Sequence, residues 1–143
     1  MIFQKNKTIE LFDKFLLTIP TKLKHHQDEI SNTKALFITD RFESFVISFE
    51  EGMADMTKQE KAEDGKTTFE YQEDGKYIRL CRSVPEVPNS TGGCAFFSIE
   101  LECHGEKIQL NGQMTANPGY KWSEDIEPVL ITILNSIRIK DNL

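Results

Sequence analysis

The sequence predicts an α+β protein: an antiparallel β-meander sheet covered on one face by a C-terminal helix. Two stretches of alternating apolar and polar β-formers fold back on short turns, at Asp74-Gly75 and His104-Gly105. Near the C-terminus the hydrophobic period changes from two to about 3.6. Strands and helices do not alternate along the chain, which argues against a doubly wound parallel sheet. With 143 residues the chain fits one α+β domain, residues 1–143, that buries roughly two thirds of its unfolded surface.

FLLTIP, residues 15–20, is an early strand closing in proline. TKALFITD and SFVISFE form the weaker pair, with Leu36, Phe45, Ile47 and Phe49 pointing inward around a turn near Asp40-Arg41. Residues 53–62, MADMTKQEKA, suit a short second helix on the other side of the sheet, although its apolar face is thin. In KTTFEYQEDGKYIRL, a two-residue turn at Asp74-Gly75 sets Glu73 opposite Lys76, Tyr71 opposite Ile78 and Phe69 opposite Leu80 on one side. Glu70 then faces Arg79, and Thr68 faces Cys81, on the other. The turn at His104-Gly105 likewise sets Leu101 opposite Ile108 and Ile99 opposite Leu110 inside, with Glu102 opposite Lys107, Glu100 opposite Gln109 and Ser98 opposite Asn111 outside. Ile126, Val129, Leu130, Ile133, Leu134 and Ile137 make one apolar stripe, predicting a helix over residues 125–136 that covers the sheet. Asp125 or Ser123 would cap it; from Asp125, Pro128 falls in the first turn, where its missing N–H costs no intrahelical bond.

CRSVPEVPNSTGGC, residues 81–94, is the stretch most open to a chemical interpretation. Pairing Ile78 with Phe97 and Leu80 with Ala95 would place Cys81 directly opposite Cys94 on the outer face, where mild oxidation would bridge them and leave Cys103, on the inner face, reduced. The plainer expectation is inert strand thiols in a reducing compartment, since only Arg79 lies close enough in sequence to lower a thiol pKa. Cys94 and Cys103 fall about 30 Å apart on one strand, on opposite faces, so they cannot share a zinc ion. His25-His26 has neither HxH nor HExxH spacing, and no metal or other cofactor is expected. PNSTGG lacks the Lys-Ser/Thr of a phosphate-binding loop and leads into a strand, so it reads as a connection before it reads as a binding loop. Asn89-Ser90-Thr91 matches a glycosylation acceptor, which matters only on an exported chain.

Net charge is −6, and residues 50–75 carry nine acids against three lysines, which accounts for all of it. No basic footprint for nucleic acid is present. The acidic stretch is either a solvated surface or an electrostatic docking patch for a basic partner. No apolar run approaches the roughly 20 residues of a membrane span, and with Met1 as the native start the charged N-terminus predicts a cytoplasmic protein. No GxSxG is present, three scattered histidines show no triad pattern, and abundant carboxylates single out no acid/base pair, so a non-enzymatic role is expected.

An early strand closing in FLLTIP, a run of strands and a terminal helix ending ILNSIRI resemble the family of small domains that includes the PsbP photosystem subunits and the Mog-type Ran-binding proteins. The family pattern often has a tryptophan shortly after that proline, where this chain has Leu23. The resemblance implies an antiparallel sheet flanked by helices in a scaffold mostly used for binding, and carries over no site residues.

The expected function is a small cytoplasmic non-catalytic binding module that engages a protein partner through the outer sheet face and its loops. Tyr77, Arg79, Phe96, Glu100 and Glu102 are the outer-face candidates, because an aromatic such as Phe96 among polar neighbours needs either a helix cover or a partner. A bacterial toxin-immunity protein, using its acidic stretch against a basic toxin, is one concrete version. A carrier with phenylalanines lining a cavity and an enzyme without a recognisable motif are the alternatives.

Overall fold

Period-two alternation turns most of the chain into strands in the computed structural model, which describes residues 5–41, 44–57, 66–73, 76–83, 93–103, 105–117 and 127–140. A smaller antiparallel sheet has the order β1-β2-β10, from β1 (Asn6–Leu11), β2 (Phe15–Pro20) and β10 (Arg138–Ile139). A larger one combines β3 (Lys24–Ile30), β4 (Thr33–Thr39), β5 (Phe45–Glu50), β6 (Lys66–Glu73), β7 (Lys76–Ser83), β8 (Cys94–Cys103) and β9 (Glu106–Ala116). Its order is β3-β4-β5-β9-β8-β7-β6. Helix α1 (Glu127–Asn135) precedes β10.

The single meander expected from sequence is thus two meanders joined at a seam. β3, β4 and β5 follow one another, β6 to β9 follow one another, and β5 pairs with β9 from Phe45↔Ala116 to Phe49↔Gly112. Because the chain leaves β5 in the middle of the sheet and re-enters as β6 at its edge, it must cross four strand spacings, about 19 Å at about 4.8 Å each. The described start of that crossing, residues 51–57, contains turns and no helix, which corrects the helix expected over 53–62 as far as Thr57. Residues 58–62 lie outside the described residues, as do Asp74-Gly75, His104, both proposed helix caps and Ile126.

Where a short turn links two strands, local chemistry sets the register. The β6–β7 pairs run from Lys66↔Ser83 to Glu73↔Lys76 and the β8–β9 pairs include Leu101↔Ile108 and Ser98↔Asn111, as the sequence indicates. Gly105 takes a φ of 81° between β8 and β9. Ser31 and Asn32 have φ of 52° and 65° and link β3 to β4 at Ile30↔Thr33. Two successive positive values are the type I′ pattern that matches strand twist.

Side chains from both sheets and the helix form one buried cluster. Leu36, Ile47, Phe49, Phe97 and Ile99 come from the larger sheet, Leu11, Leu17 and Ile19 from the smaller, and Leu130, Ile133 and Leu134 from α1. The small sheet's share of the core was absent from the sequence expectation. The helix is anchored just past its last turn, where the Ser136 hydroxyl accepts the Thr18 N–H at 2.8 Å and donates to the Ile133 carbonyl at 2.6 Å. Lys76 on β7 donates its ammonium to the Asn135 carbonyl, a cation at a helix C-terminus.

Gly112 is where packing leaves no room. A Cβ there would drive into the Phe97 ring on one side and the Ser48 carbonyl on the other, and the Phe97 ring meets Phe49 edge-on at 5.2 Å. Gly112→Ala should therefore destabilise the protein by about 1 to 3 kcal/mol in denaturant titrations, part of which Phe97→Leu should restore. An unchanged midpoint would show that β5 and Phe97 retreat without cost. Leu130, fully buried, should cost about 2 to 5 kcal/mol on truncation to Ala; a loss below about 1 kcal/mol would mean that the helix contributes little to the core.

Candidate functional site

Strand parity sends alternate residues of β7, β8 and β9 away from the core, and the register aligns them in rows across the sheet. Tyr77, Glu100 and Gln109 make one row, Arg79, Ser98 and Asn111 the next, and Cys81, Phe96 and Gln113 the third. All five residues expected at a binding surface, Tyr77, Arg79, Phe96, Glu100 and Glu102, therefore lie on this outer face. Glu102 is one step beyond Glu100 along β8, opposite Lys107, and is exposed.

Three of the five converge. Tyr77, Arg79 and Glu100 line a shallow depression of about 110 Å³ together with Ser98, Gln109 and Asp55. The Arg79 guanidinium lies 5.6 Å from the centre of the Tyr77 ring, a cation–π arrangement that presents a flat surface carrying both charge and apolar area. Phe96 and Glu102 are outside the lining, in the flanking rows. Phe96 is half-buried between Cys81 and Gln113.

Asp55 reaches the depression from the crossing segment and is held there by hydrogen bonds. Its Oδ1 accepts the Thr57 N–H at 2.9 Å and the Thr57 hydroxyl at 2.5 Å, which closes a tight turn. Gln109 Nε2 donates to Asp55 Oδ2 and to Ser98 Oγ, each at 3.0 Å. One row further, Asn111 Nδ2 donates to the Met53 carbonyl at 2.8 Å. Ser98 and Asn111 are consequently buried although they belong to the outer side, because residues 51–57 are fastened over them, and Thr57 is buried within that segment. The depression thus has a rigid polar wall and a charged rim of two carboxylates and one guanidinium.

Sequence reasoning missed Asp55, Ser98 and Gln109 as lining residues. Ser98 and Gln109 were legible as outer-face positions from parity alone. Asp55 was not, because a side chain delivered by an irregular segment leaves no periodic signal. Among the described residues, no three His, Cys, Asp or Glu side chains gather as a metal site, and no helix is long and apolar enough to cross a membrane.

The expected Cys81–Cys94 pairing is overturned. β7 meets β8 with Leu80↔Phe97, Cys81↔Phe96 and Ser83↔Cys94, two residues away from the register expected. Both thiols keep the outer face, but they are diagonal neighbours, about 7 to 8 Å apart in such a ladder and only somewhat less between Cβ atoms. A disulfide needs about 3.5 to 4.5 Å. The intervening loop, with Pro85, Pro88, Asn89-Ser90-Thr91 and Gly92, lies outside the described residues, as does the Cys103 side chain. Mild oxidation of the folded protein should leave Cys81 and Cys94 unbridged in peptide maps; a Cys81–Cys94 bridge formed without unfolding would contradict this ladder. No known protein-family model matches the chain, and a search of curated proteins finds no match.

Proposed function

We propose that the protein is a non-catalytic binding module whose outer sheet face, centred on the Tyr77–Arg79–Glu100 depression, receives a protein partner. In this reading α1 and the small sheet cover the inner face of the larger sheet, which leaves the outer face of β7 and β8 for recognition. The observation that carries it is the stacking of Arg79 on Tyr77 beside a depression walled by the Asp55–Gln109–Ser98 network. Tyr and Arg are the residue types most often found at the energetic centre of protein interfaces, and a pre-ordered polar wall lowers the entropy lost on docking. A depression of this volume suits one inserted side chain better than a drug-sized ligand, which needs roughly 300 Å³ or more. The resemblance to PsbP-like and Mog-type domains points the same way, toward a binding scaffold. A cytoplasmic location, and a basic partner of the kind an immunity protein would block, belong to the same proposal, with Glu100 and Glu102 supplying negative charge on β8.

The test is retention of lysate proteins on the immobilised wild type and on a Tyr77→Ala, Arg79→Glu double variant, at low and high salt. A partner held by the wild type should bind the variant at least about tenfold more weakly, and a basic one should also weaken as salt rises. Equal retention by both forms, or no protein retained by the wild type, would remove this proposal.

A further inference from the structure

Across the larger sheet from that depression, β3 forms an edge with only β4 beside it among the described residues. Its residues Lys24 to Glu29 are all exposed. Edge strands commonly carry charges that repel a second edge. Here the charges are sorted along the strand: Lys24, His25 and His26 occupy the first half, Asp28 and Glu29 the second, and Gln27 lies between.

The ladder with β4 assigns their faces. His25, Gln27 and Glu29 stand opposite Ile38, Leu36 and Lys34, on the core side, while Lys24, His26 and Asp28 stand opposite Thr39, Phe37 and Ala35, on the outer side. Each row therefore reads from a basic or imidazole end to an acidic end, and reversing either row brings opposite ends together.

We infer that β3 is a self-association edge, pairing antiparallel with β3 of a second copy about a twofold axis so that the two seven-stranded sheets become continuous. An axis perpendicular to the sheet keeps core side next to core side, and parity then requires the pairing to centre on a residue. Centred on Gln27, it sets His25 opposite Glu29 of the second copy and His26 opposite Asp28 of the second copy, each pair occurring twice. Centred on His26, it would set Lys24 opposite Asp28 but face the two His26 rings together and leave His25 and Glu29 without a charged partner; centred on Asp28, it would face two carboxylates together. Charge thus selects the Gln27 register among its neighbours.

Two of these side chains are held in place before pairing. The His26 ring stacks on Phe37 with centroids 5.1 Å apart, and Gln27 Nε2 donates to the Glu10 carbonyl of β1 at 3.0 Å. Desolvation, then Lys7 and then His26 hold the His25 pKa below its ordinary value, and the nearby Lys7 ammonium favours an incoming Glu29. Asp28 has a competing contact: its Oδ1 accepts the Glu29 N–H at 2.8 Å, and this carboxylate must turn from its own backbone to the second copy's imidazole. The resulting association is weak and concentration-dependent, as befits one strand pair.

Sedimentation equilibrium tests it with two double variants at these exposed positions: His25→Glu, His26→Asp makes all four paired positions acidic, and Asp28→Lys, Glu29→Lys leaves only basic or imidazole side chains at them. The wild type should dimerise with rising concentration, each variant alone should dissociate at least about tenfold more readily, and an equimolar mixture of the two should restore a heterodimer. Monomeric wild type at every concentration overturns the inference. So does a dimer that both variants preserve, since that dimer would use another surface, and so does a mixture that stays monomeric while both variants keep the wild-type circular dichroism. The Tyr77, Arg79 variant should dimerise like the wild type, which separates this edge from the outer-face proposal.

Discussion

The absent side chain at Gly112 is the constraint around which the larger sheet is arranged. Two locally folded meanders meet along the β5–β9 ladder, and Gly112 stands at its end, paired with Phe49 on one side and Phe97 on the other. With hydrogen in place of Cβ, Phe97 can lie across the strand against Phe49 while the Ser48 carbonyl approaches from β5. The next residue, Asn111, points to the opposite face and holds the Met53 carbonyl just after β5 ends. Core packing, the joining of the meanders and the launch of the crossing segment are thus determined within a few residues. The candidate site inherits that rigidity, because Asp55 follows Met53 by two residues and is fastened to the same strand through Gln109.

What was legible in the sequence, and what was not, follows the length of the connections. Two-residue turns leave the chain little freedom, so the partners of Tyr77's strand in β6 and of Glu100's strand in β9 could be read residue by residue. Between β7 and β8 the sequence runs through a long stretch rich in Pro and Gly, too long to dictate a register. A slip of two residues preserves inside and outside, so hydrophobic alternation could not detect that Cys81 meets Phe96. The outer-face membership of Tyr77, Arg79, Phe96, Glu100 and Glu102 survived that slip for the same reason. Strand order was hidden because β5 and β9 join segments far apart in sequence; β1 was hidden because its alternation is confined to Ile9 and Leu11, and β3 because a charged, exposed strand lacks the apolar alternation that marks a half-buried one.

The crossing segment also explains why the outer face is neither plainly polar nor plainly apolar. Ser98 and Asn111 look like solvent positions in the sequence, yet both are buried beneath residues 51–57. Asn111 Nδ2 donates to the Met53 carbonyl of that segment, while Ser98 Oγ accepts from Gln109, which also donates to Asp55, so the irregular stretch is tied to the sheet both directly and through Gln109. Tyr77 and Arg79, one strand further along, lie at its margin, where a partner could contact sheet and segment together.

The small sheet has a consequence for how the protein is born. β10 pairs with β2, and Ser136 bonds Thr18 across 118 positions, so β1 and β2 cannot complete their sheet until Ile139 has left the ribosome. The β6 to β9 meander, built from neighbours in sequence, can form while synthesis continues, whereas the β1–β2 hairpin waits for β10 to join it. During that interval Leu17 and Ile19, fully buried at the end, are uncovered. A nascent chain that stalls shortly before Ile137 would therefore hold a finished meander beside an open apolar hairpin, the form of this protein most in need of a chaperone.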